Sequence, residues 1–325
     1  MGGMCLVDTE GLIQVSKIRT SVLAALCATS LGLVAACGSD DADSGSGGEG
    51  GDSGGSTLEK LKEEGTIKVA FAGEIPYSYE EDGELTGATI AIDREIYKNL
   101  GIDNVEGQMV EWDALIPGLT KGEYDAVSAG MSILPDRCER GAFAEPTIMY
   151  TSTLMVKEGN PKGLNDFSSF EGSDAKLALQ SGAIEQGYAE EIGIQDTMTV
   201  NSAQDGMDAV SSGRADAFAL TNITLKQMAE KNADAGVETV GGFVAEVDGT
   251  AQVSAGSTVF RPEDSELREA YNEELEKIVG DQAKFEELVG EFGFTDDERP
   301  PEDLTAQMLC DDDLEAANKA MESKE

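Results

Sequence analysis

One arginine in this sequence stands where it could bind an anion. Arg137 closes the segment Asp125–Cys138, in which an apolar run predicts a strand that ends in a turn at Leu134–Pro135. A guanidinium presents planar, paired donors to a carboxylate, so an arginine at a strand end inside a cleft suits the acid group of a small solute. A lone arginine is more often a solvated surface residue. The position of Arg137 after a predicted strand nevertheless favours a role in ligand binding.

The composition excludes several kinds of chemistry. The chain has no histidine, and its 64 acidic and 23 basic residues give a formal net charge of −41. Without histidine there is no Ser-His-Asp triad, no imidazole base and no common zinc ligand. An acidic surface repels nucleic acid and anionic lipid head groups. We therefore expect no metal, no cofactor and no nucleic-acid partner, and attribute the acidity to solvation in a salty medium rather than to calcium binding.

The N-terminus has the pattern of an export signal. Lys17 and Arg19 precede the apolar run 22–36, and small residues lead to Cys37. This order predicts a signal peptide over residues 1–36, in which the apolar run is short for a membrane span. The acidic residues at positions 8 and 10 do not suit such a signal, so Val15 is a second candidate start. Val34-Ala-Ala-Cys37 resembles the lipobox of bacterial lipoproteins, which implies a lipid on Cys37; an ordinary signal peptide or a buried helix is the alternative.

The next segment predicts a flexible tether. Residues 37–57 are rich in Gly, Ser and Asp and have no apolar side chain large enough to form a core. Loss of residues 1–36 and lipidation of Cys37 would leave Cys138 and Cys310 as a pair in an oxidising compartment. We predict a disulfide between them, which would close a loop of roughly 170 residues and stabilise the fold by about 4–5 kcal/mol.

Strands and amphipathic helices alternate in both halves of the globular part, which is typical of parallel, helix-covered sheets. The predicted strands cover 66–72, 105–111, 125–131, 176–180, 197–200 and 216–221, and the predicted helices cover 57–65, 88–100, 112–122, 203–212, 266–279 and 282–292.

A short repeat predicts two similar lobes. Gly122-Glu-Tyr-Asp125 and Gly213-Arg-Ala-Asp216 have one spacing, and each closes a helix and opens a strand. We expect two α/β lobes whose strand ends face one cleft. The predicted bounds are 58–153 with 252–310 for lobe 1 and 154–251 for lobe 2, with hinge crossings near 152–156 and 250–256. The acidic tail 311–325 is expected to be a loose, solvated helix.

Three segments resemble family 3 extracellular solute-binding proteins of ABC importers. They are Gly130–Arg137, Trp112–Leu119 and Gly213–Ala217, and the likeness spans Leu58–Cys310. Further segments resemble the ectoine/hydroxyectoine-binding branch, namely Phe71–Tyr77, Arg137–Glu139 with Ala144–Pro146, Lys157–Gly163 and Phe292–Thr295. The resemblance implies a two-lobed, type II periplasmic-binding fold, an extracytoplasmic monomer, and a permease with its ATPase as partners.

The resemblance also implies a ligand site. Arg137 would bind a carboxylate, while Glu74 with the faces of Tyr77 and Trp112 would supply charge and cation–π contact; a core position is the alternative for Trp112. The remaining expected ligand-binding residues are Met131, Ser132, Gly182, Ala183, Thr221 and Asn222.

Three departures from the family pattern bear on the ligand. Thr221-Asn222 stands where amino-acid binders have an aspartate for the α-amino group, and Ser132 stands where ectoine binders have a third aromatic residue. Gly182-Ala183 replaces a frequent Gly-Thr, which removes a hydroxyl. The ligand is expected to be a small zwitterion, which is either similar to ectoine or a different zwitterion, for example one bulkier than ectoine.

The expected function is therefore capture of a small zwitterionic solute for import, without enzymatic activity. A polar amino acid is the first alternative ligand. A dehydratase-like or lytic enzyme on the same fold would need a carboxylic acid of raised pKa, such as Glu74 or Glu185. A ligand sensor or adhesion module is a further alternative.

Overall fold

A computed structural model describes residues 55–324. The expected signal peptide 1–36, the lipidated Cys37 and nearly all of the tether lie outside the described residues. Among the residues that the structure does describe, no helix combines the length and the apolar character that crossing a membrane requires.

The helices and strands follow the chain in three groups. The first group is α1 (Thr57–Glu64), β1 (Thr66–Phe71), β2 (Tyr79–Glu81), β3 (Glu84–Thr86), α2 (Ala88–Asn99), β4 (Asn104–Met109), α3 (Leu115–Thr120), β5 (Ala126–Ser132), α4 (Pro135–Cys138), β6 (Ala142–Phe143) and β7 (Ile148–Met149). The second is β8 (Ser152–Lys157), β9 (Leu177–Gln180), α5 (Ile184–Ile192), β10 (Thr197–Val200), α6 (Ala203–Ser211), β11 (Ala217–Thr221), α7 (Asn222–Lys231), β12 (Val237–Thr239), β13 (Glu246–Val247) and β14 (Thr250–Ala251). The third is β15 (Ala255–Phe260), α8 (Ser265–Val279), α9 (Gln282–Val289), α10 (Ala306–Cys310) and α11 (Leu314–Glu322), and short 3-10 turns lie at Trp112–Ala114, Phe167–Phe170, Ala233–Ala235, Gly290–Phe292 and Asp296–Glu298.

Two separate sheets form the two predicted lobes. The first has the order β4-β1-β5-β15-β6, with β7 also paired to β15, and the second has the order β10-β9-β11-β8-β12. In each sheet the first three strands are parallel. The remaining strands are antiparallel. The two-lobed α/β prediction is confirmed, although the sheets are mixed rather than mostly parallel because β8 and β15 enter from the opposite lobe.

The repeated Gly-x-x-Asp motif has the same structural role in both lobes. The backbone of Asp125 donates to the carbonyl of Lys68 in β1, and its carboxylate accepts from the Lys68 amide at 3.1 Å. Asp216 makes the equivalent pair with Lys176, and here the amide-to-carboxylate distance is 2.8 Å. Each aspartate thus fixes the start of a central strand against its parallel neighbour, which sets the register that carries the far strand ends to the cleft.

Helices cover both faces of the first sheet, as a buried sheet requires. One face packs against α2, α8 and α9, through side chains such as Ile96, Tyr271 and Phe285. The opposite face packs against α3, α10 and α11. The core therefore fixes β1 and β5, and the segments that follow these two strands carry Glu74, Tyr77 and Arg137.

The C-terminal segment is packed onto lobe 1 rather than loose. Cys138 at the end of α4 and Cys310 at the end of α10 form a disulfide, with their Cα atoms 5.7 Å apart. Beyond it, α11 buries Ala317 and Ala320 in the same apolar cluster as Leu309. The expected helix is present, but the expectation that it is loose and solvated was wrong, because Ala317 and Ala320 recur three apart on one face of α11 and pack against lobe 1.

Candidate ligand-binding site

A small chamber lies between the two lobes. Its volume is about 20 Å³, which is room for about one water molecule, whereas sites for small ligands usually hold several hundred cubic ångströms. It is lined by Glu74, Tyr77, Trp112, Ala129, Gly130, Ser132, Tyr150, Gln180, Ala183, Ile184, Glu185, Leu220 and Thr221. The lobes are closed in this conformation, so they must separate before a solute of amino-acid size can enter.

Glu74 joins the lobes from the loop that follows β1. The hydroxyl of Thr224 donates to Glu74 Oε1 at 2.8 Å, and the hydroxyl of Thr221 lies 3.2 Å from the same oxygen. Both threonines belong to lobe 2. Burial raises the pKa of Glu74, and the two threonine hydrogen bonds offset part of that rise. The Glu74 side chain is therefore partly buried between the lobes, where an organic cation would be a favourable partner for its carboxylate.

Arg137 lies beside the chamber instead of in its wall. Its side chain is buried, and it donates through Nη1 to the Ser132 carbonyl at 3.0 Å and through Nη2 to the Gly182 carbonyl at 2.7 Å. Its Cζ atom lies 5.8 Å from the centre of the Trp112 ring. Burial lowers the pKa of Arg137. The guanidinium therefore donates two of its five N–H groups to carbonyl oxygens, one in each lobe, and the other three could be offered to a carboxylate.

Gly182 is the lobe 2 partner of that contact. Its carbonyl also accepts from Trp112 Nε1 at 3.1 Å. Its φ is +73°, and a Cβ atom there would lie 3.3 Å from Trp112 Cδ1. A glycine is thus required both for the turn between β9 and α5 and for the close approach of the indole.

Aromatic rings form much of the chamber wall. Tyr77, Trp112 and Tyr150 all line it, and the rings of Tyr77 and Tyr150 pack edge to face with centroids 6.0 Å apart. The Tyr150 hydroxyl donates to the Ser132 hydroxyl oxygen. Tyr150 therefore places an aromatic side chain next to Ser132, where the sequence suggested that one was missing. Sequence reasoning missed Tyr150 because it lies 18 residues away, in the connection that crosses to lobe 2.

Lobe 2 contributes a second buried acid. Glu185 lies in the first turn of α5 with 1% of its surface exposed, and its Oε1 accepts from the Ser152 hydroxyl at 2.9 Å. Burial raises its pKa to about 7, with a smaller rise from Glu74 and opposing contributions from hydrogen bonds. The sequence analysis named Glu185 only as the acid of a hypothetical enzyme. Its place in the wall of the chamber could have been inferred from the sequence, because it lies three residues after Gly182, in the turn that opens α5.

The ten expected ligand-binding residues divide into three groups. Glu74, Tyr77, Trp112, Ser132, Ala183 and Thr221 line the chamber. Met131, Arg137 and Gly182 line a wider groove beside it, of about 830 Å³, which Trp112 and Ala183 also border. Asn222 begins α7, and its backbone amide donates to the Thr151 carbonyl at 2.8 Å. Across residues 55–324, no group of three or more acidic or cysteine side chains has the arrangement of a metal site.

Comparison with known proteins agrees with this architecture. The model of bacterial extracellular solute-binding proteins, family 3, matches residues 67–289. A protein of Sinorhizobium fredii (strain NBRC 101917 / NGR234) named as a probable amino-acid ABC transporter periplasmic-binding protein is 33% identical over 225 residues, covering 67% of this chain and 74% of the relative. The arginine-binding extracellular protein ArtP of Bacillus subtilis (strain 168) is 25% identical over 216 residues, covering 66% of this chain and 80% of the relative.

A solved structure extends the likeness to the whole fold. The crystal structure of EhuB in complex with hydroxyectoine superposes with a TM-score of 0.69 at 31% identity, covering 78% of this chain and 97% of that one. These relatives are binding proteins of transport systems, with the type II periplasmic-binding fold. The chain belongs to the bacterial extracellular solute-binding proteins of family 3, and is a solute-binding protein of an amino-acid-type ABC transporter.

Proposed function

We propose that this protein captures a small zwitterionic compatible solute, of the ectoine or hydroxyectoine type, for import. The observation that carries the proposal is the interlobe chamber, in which Tyr77, Trp112 and Tyr150 surround a space bordered by Glu74. Aromatic faces and a partly buried carboxylate stabilise an organic cation together. The structural likeness to a hydroxyectoine complex supports the same ligand class.

Binding would exchange contacts between the lobes for contacts with the solute. The solute cation would take the position between Glu74 and the aromatic rings, and its carboxylate would draw Arg137 away from the Gly182 carbonyl. A ligand that contacts both lobes favours the closed form only to the extent that it binds this form better than the open one. Closure would then present the loaded protein to the permease and its ATPase.

The proposal includes the location and organisation of the protein. Residues 1–36 would direct export, a lipid on Cys37 would anchor the chain to the outer face of the cell membrane, and residues 37–57 would form the tether. Lobe 1 would comprise 58–153 with 252–310, and lobe 2 would comprise 154–251. The protein would act as a monomer, since one chain supplies both walls of the chamber.

Calorimetric titration tests the ligand assignment. The panel is ectoine, hydroxyectoine, glycine betaine and polar amino acids, each titrated into the purified protein. Arg137→Ala should weaken the best ligand by about tenfold to a hundredfold, the cost of losing a hydrogen-bonded charge. Arg94→Ala is the matched control, because Arg94 is exposed on α2 and donates to the Leu85 carbonyl away from the chamber. Equal affinity of Arg137→Ala and wild type would refute the role of Arg137.

A polar amino acid is the second candidate ligand. The names of the Sinorhizobium and Bacillus relatives favour it. Thr221 and Asn222 lack the charge that amino-acid binders of this family place there, so an α-amino group would depend on Glu74 or Glu185. Tighter binding of an amino acid than of ectoine and hydroxyectoine in the same titrations would decide for this candidate.

Enzyme and sensor functions are remoter alternatives. Glu185 is buried and has a raised pKa, as a catalytic acid would. Recovery of the best ligand chemically unchanged after prolonged incubation would exclude turnover.

A further inference from the structure

The lobe 2 wall of the chamber is rich in hydrogen-bond acceptors. Glu185 and Gln180 both line it, and both are almost fully buried. The Ser152 hydroxyl donates to Glu185 and holds it in place. Gln180 Oε1 has no hydrogen-bond partner among residues 55–324. A buried carbonyl oxygen without a partner is costly, so an unpaired acceptor in a ligand chamber indicates where a donor of the ligand is expected.

The lobe 1 wall adds an acceptor of its own. Glu74 lines the same chamber, and its Oε1 atom accepts hydrogen bonds from the threonines of lobe 2. The chamber therefore has acceptors on both lobes and aromatic faces between them. A quaternary ammonium satisfies aromatic faces but has no N–H to donate, and it would leave Gln180 Oε1 unpaired. A planar cation with several N–H groups satisfies both kinds of wall.

We propose that Glu185 and Gln180 are the lobe 2 half of a cation site, and that the ligand's cation is a planar group with several N–H donors, such as an amidinium or a guanidinium. This inference rests on the proposed function, because it takes the interlobe chamber as the solute site. It adds two specificity-determining residues and excludes quaternary ammonium compounds from the preferred ligands.

Proton exchange at Glu185 follows from the same arrangement. The ionisable side chains that face Glu185 are Glu74 after β1, Arg137 of α4, Tyr77, Tyr150 and Tyr188. Burial and Glu74 keep the pKa of Glu185 near 7, so part of the protein holds a proton there at neutral pH. A cationic ligand group needs the ionised carboxylate. Binding therefore releases the Glu185 proton to solvent, and no other bond changes.

The sign of the pH dependence is fixed by this exchange. Below pH 7 the ligand must displace a proton, whereas above pH 7 the carboxylate is already ionised. Affinity should rise with pH and then level off, by about tenfold between pH 6 and pH 8. A ligand that binds without contacting Glu185 would show no such change from this group.

The experiment compares three solutes and three proteins by calorimetry. Ectoine and L-arginine carry planar N–H cations, and glycine betaine carries a quaternary one. Wild type should bind ectoine or L-arginine at least about tenfold more tightly than glycine betaine. Glu185→Gln resembles the protonated acid in shape and charge, so it should fold, bind about tenfold or more weakly at pH 8, and lose the pH dependence. Titration in buffers of different ionisation enthalpy should show proton release for wild type and none for Glu185→Gln.

Glu191→Gln is the matched control. Glu191 is exposed on the same helix and carries the same charge, but it does not line the chamber. It should retain wild-type affinity and proton release. Wild-type affinity and proton release in Glu185→Gln, or tighter binding of glycine betaine than of both N–H cations, would overturn the inference and leave a zwitterion-binding function standing. Failure of wild type to bind any solute of the wider calorimetric panel would refute the proposed function and this inference together.

Discussion

The disulfide between Cys138 and Cys310 should contribute a large part of the stability of the fold. The two cysteines are 172 residues apart in sequence. In the chain-entropy relation, a loop of this length removes about 17 cal/mol/K from the unfolded state, or about 5 kcal/mol at 25 °C. Whole domains are usually stable by only about 5–15 kcal/mol. Replacing both cysteines by serine should therefore lower the free energy of unfolding by several kcal/mol.

The apolar contacts of the C-terminal segment determine what remains without the bond. Leu309 and the alanines of α11 stay buried against lobe 1 in the folded state. The variant in which serine replaces both cysteines should therefore still fold at low temperature. Urea denaturation is the assay, followed by circular dichroism and by the fluorescence of Trp112, the one tryptophan of the chain. Wild type treated with reductant is the control, because it loses the bond without a substitution. A loss below about 1 kcal/mol in both samples would refute the loop-entropy argument.

Two further predictions concern buried groups. Asp93 of lobe 1 accepts from Tyr271 at 2.6 Å and from Thr258 at 3.0 Å, and burial raises its pKa to about 6. Because the pKa of Asp93 is higher in the folded state than in the unfolded state, the free energy of unfolding should fall as pH rises from about 4 to 6. Asp93→Asn removes this titration and should gain up to about 3 kcal/mol over wild type between pH 4 and pH 8. Parallel curves of unfolding free energy against pH for the two proteins would contradict this. Tyr150→Phe keeps the aromatic wall and should change solute affinity by less than about threefold, whereas Tyr150→Ala should weaken it by about tenfold, and equal effects in calorimetry would argue against a cation–π role.

The sequence predicted local features better than contacts between the lobes. The strands, the glycine turns and the repeated Gly-x-x-Asp motif depend on neighbouring residues, and Asp125 and Asp216 indeed have equivalent partners. Glu74 could be placed near the chamber because it follows a strand. Tyr150 could not, because its hydroxyl reaches Ser132 only after the chain has turned toward lobe 2. Packing of α11 also depends on a distant surface, which no local pattern reports.

The residues that close the cleft are also the ones a ligand would need, which limits how affinity can arise. Arg137 and Trp112 of lobe 1 both donate to the Gly182 carbonyl of lobe 2, and Thr221 and Thr224 of lobe 2 meet Glu74 of lobe 1. A solute that binds Arg137 and Glu74 competes with hydrogen bonds that already hold the lobes together. The measured affinity then reflects both the contacts that the solute makes and the cross-lobe hydrogen bonds that it displaces. A solute that contacts both lobes and leaves these hydrogen bonds intact keeps their contribution to closure, whereas a solute that displaces them must replace both.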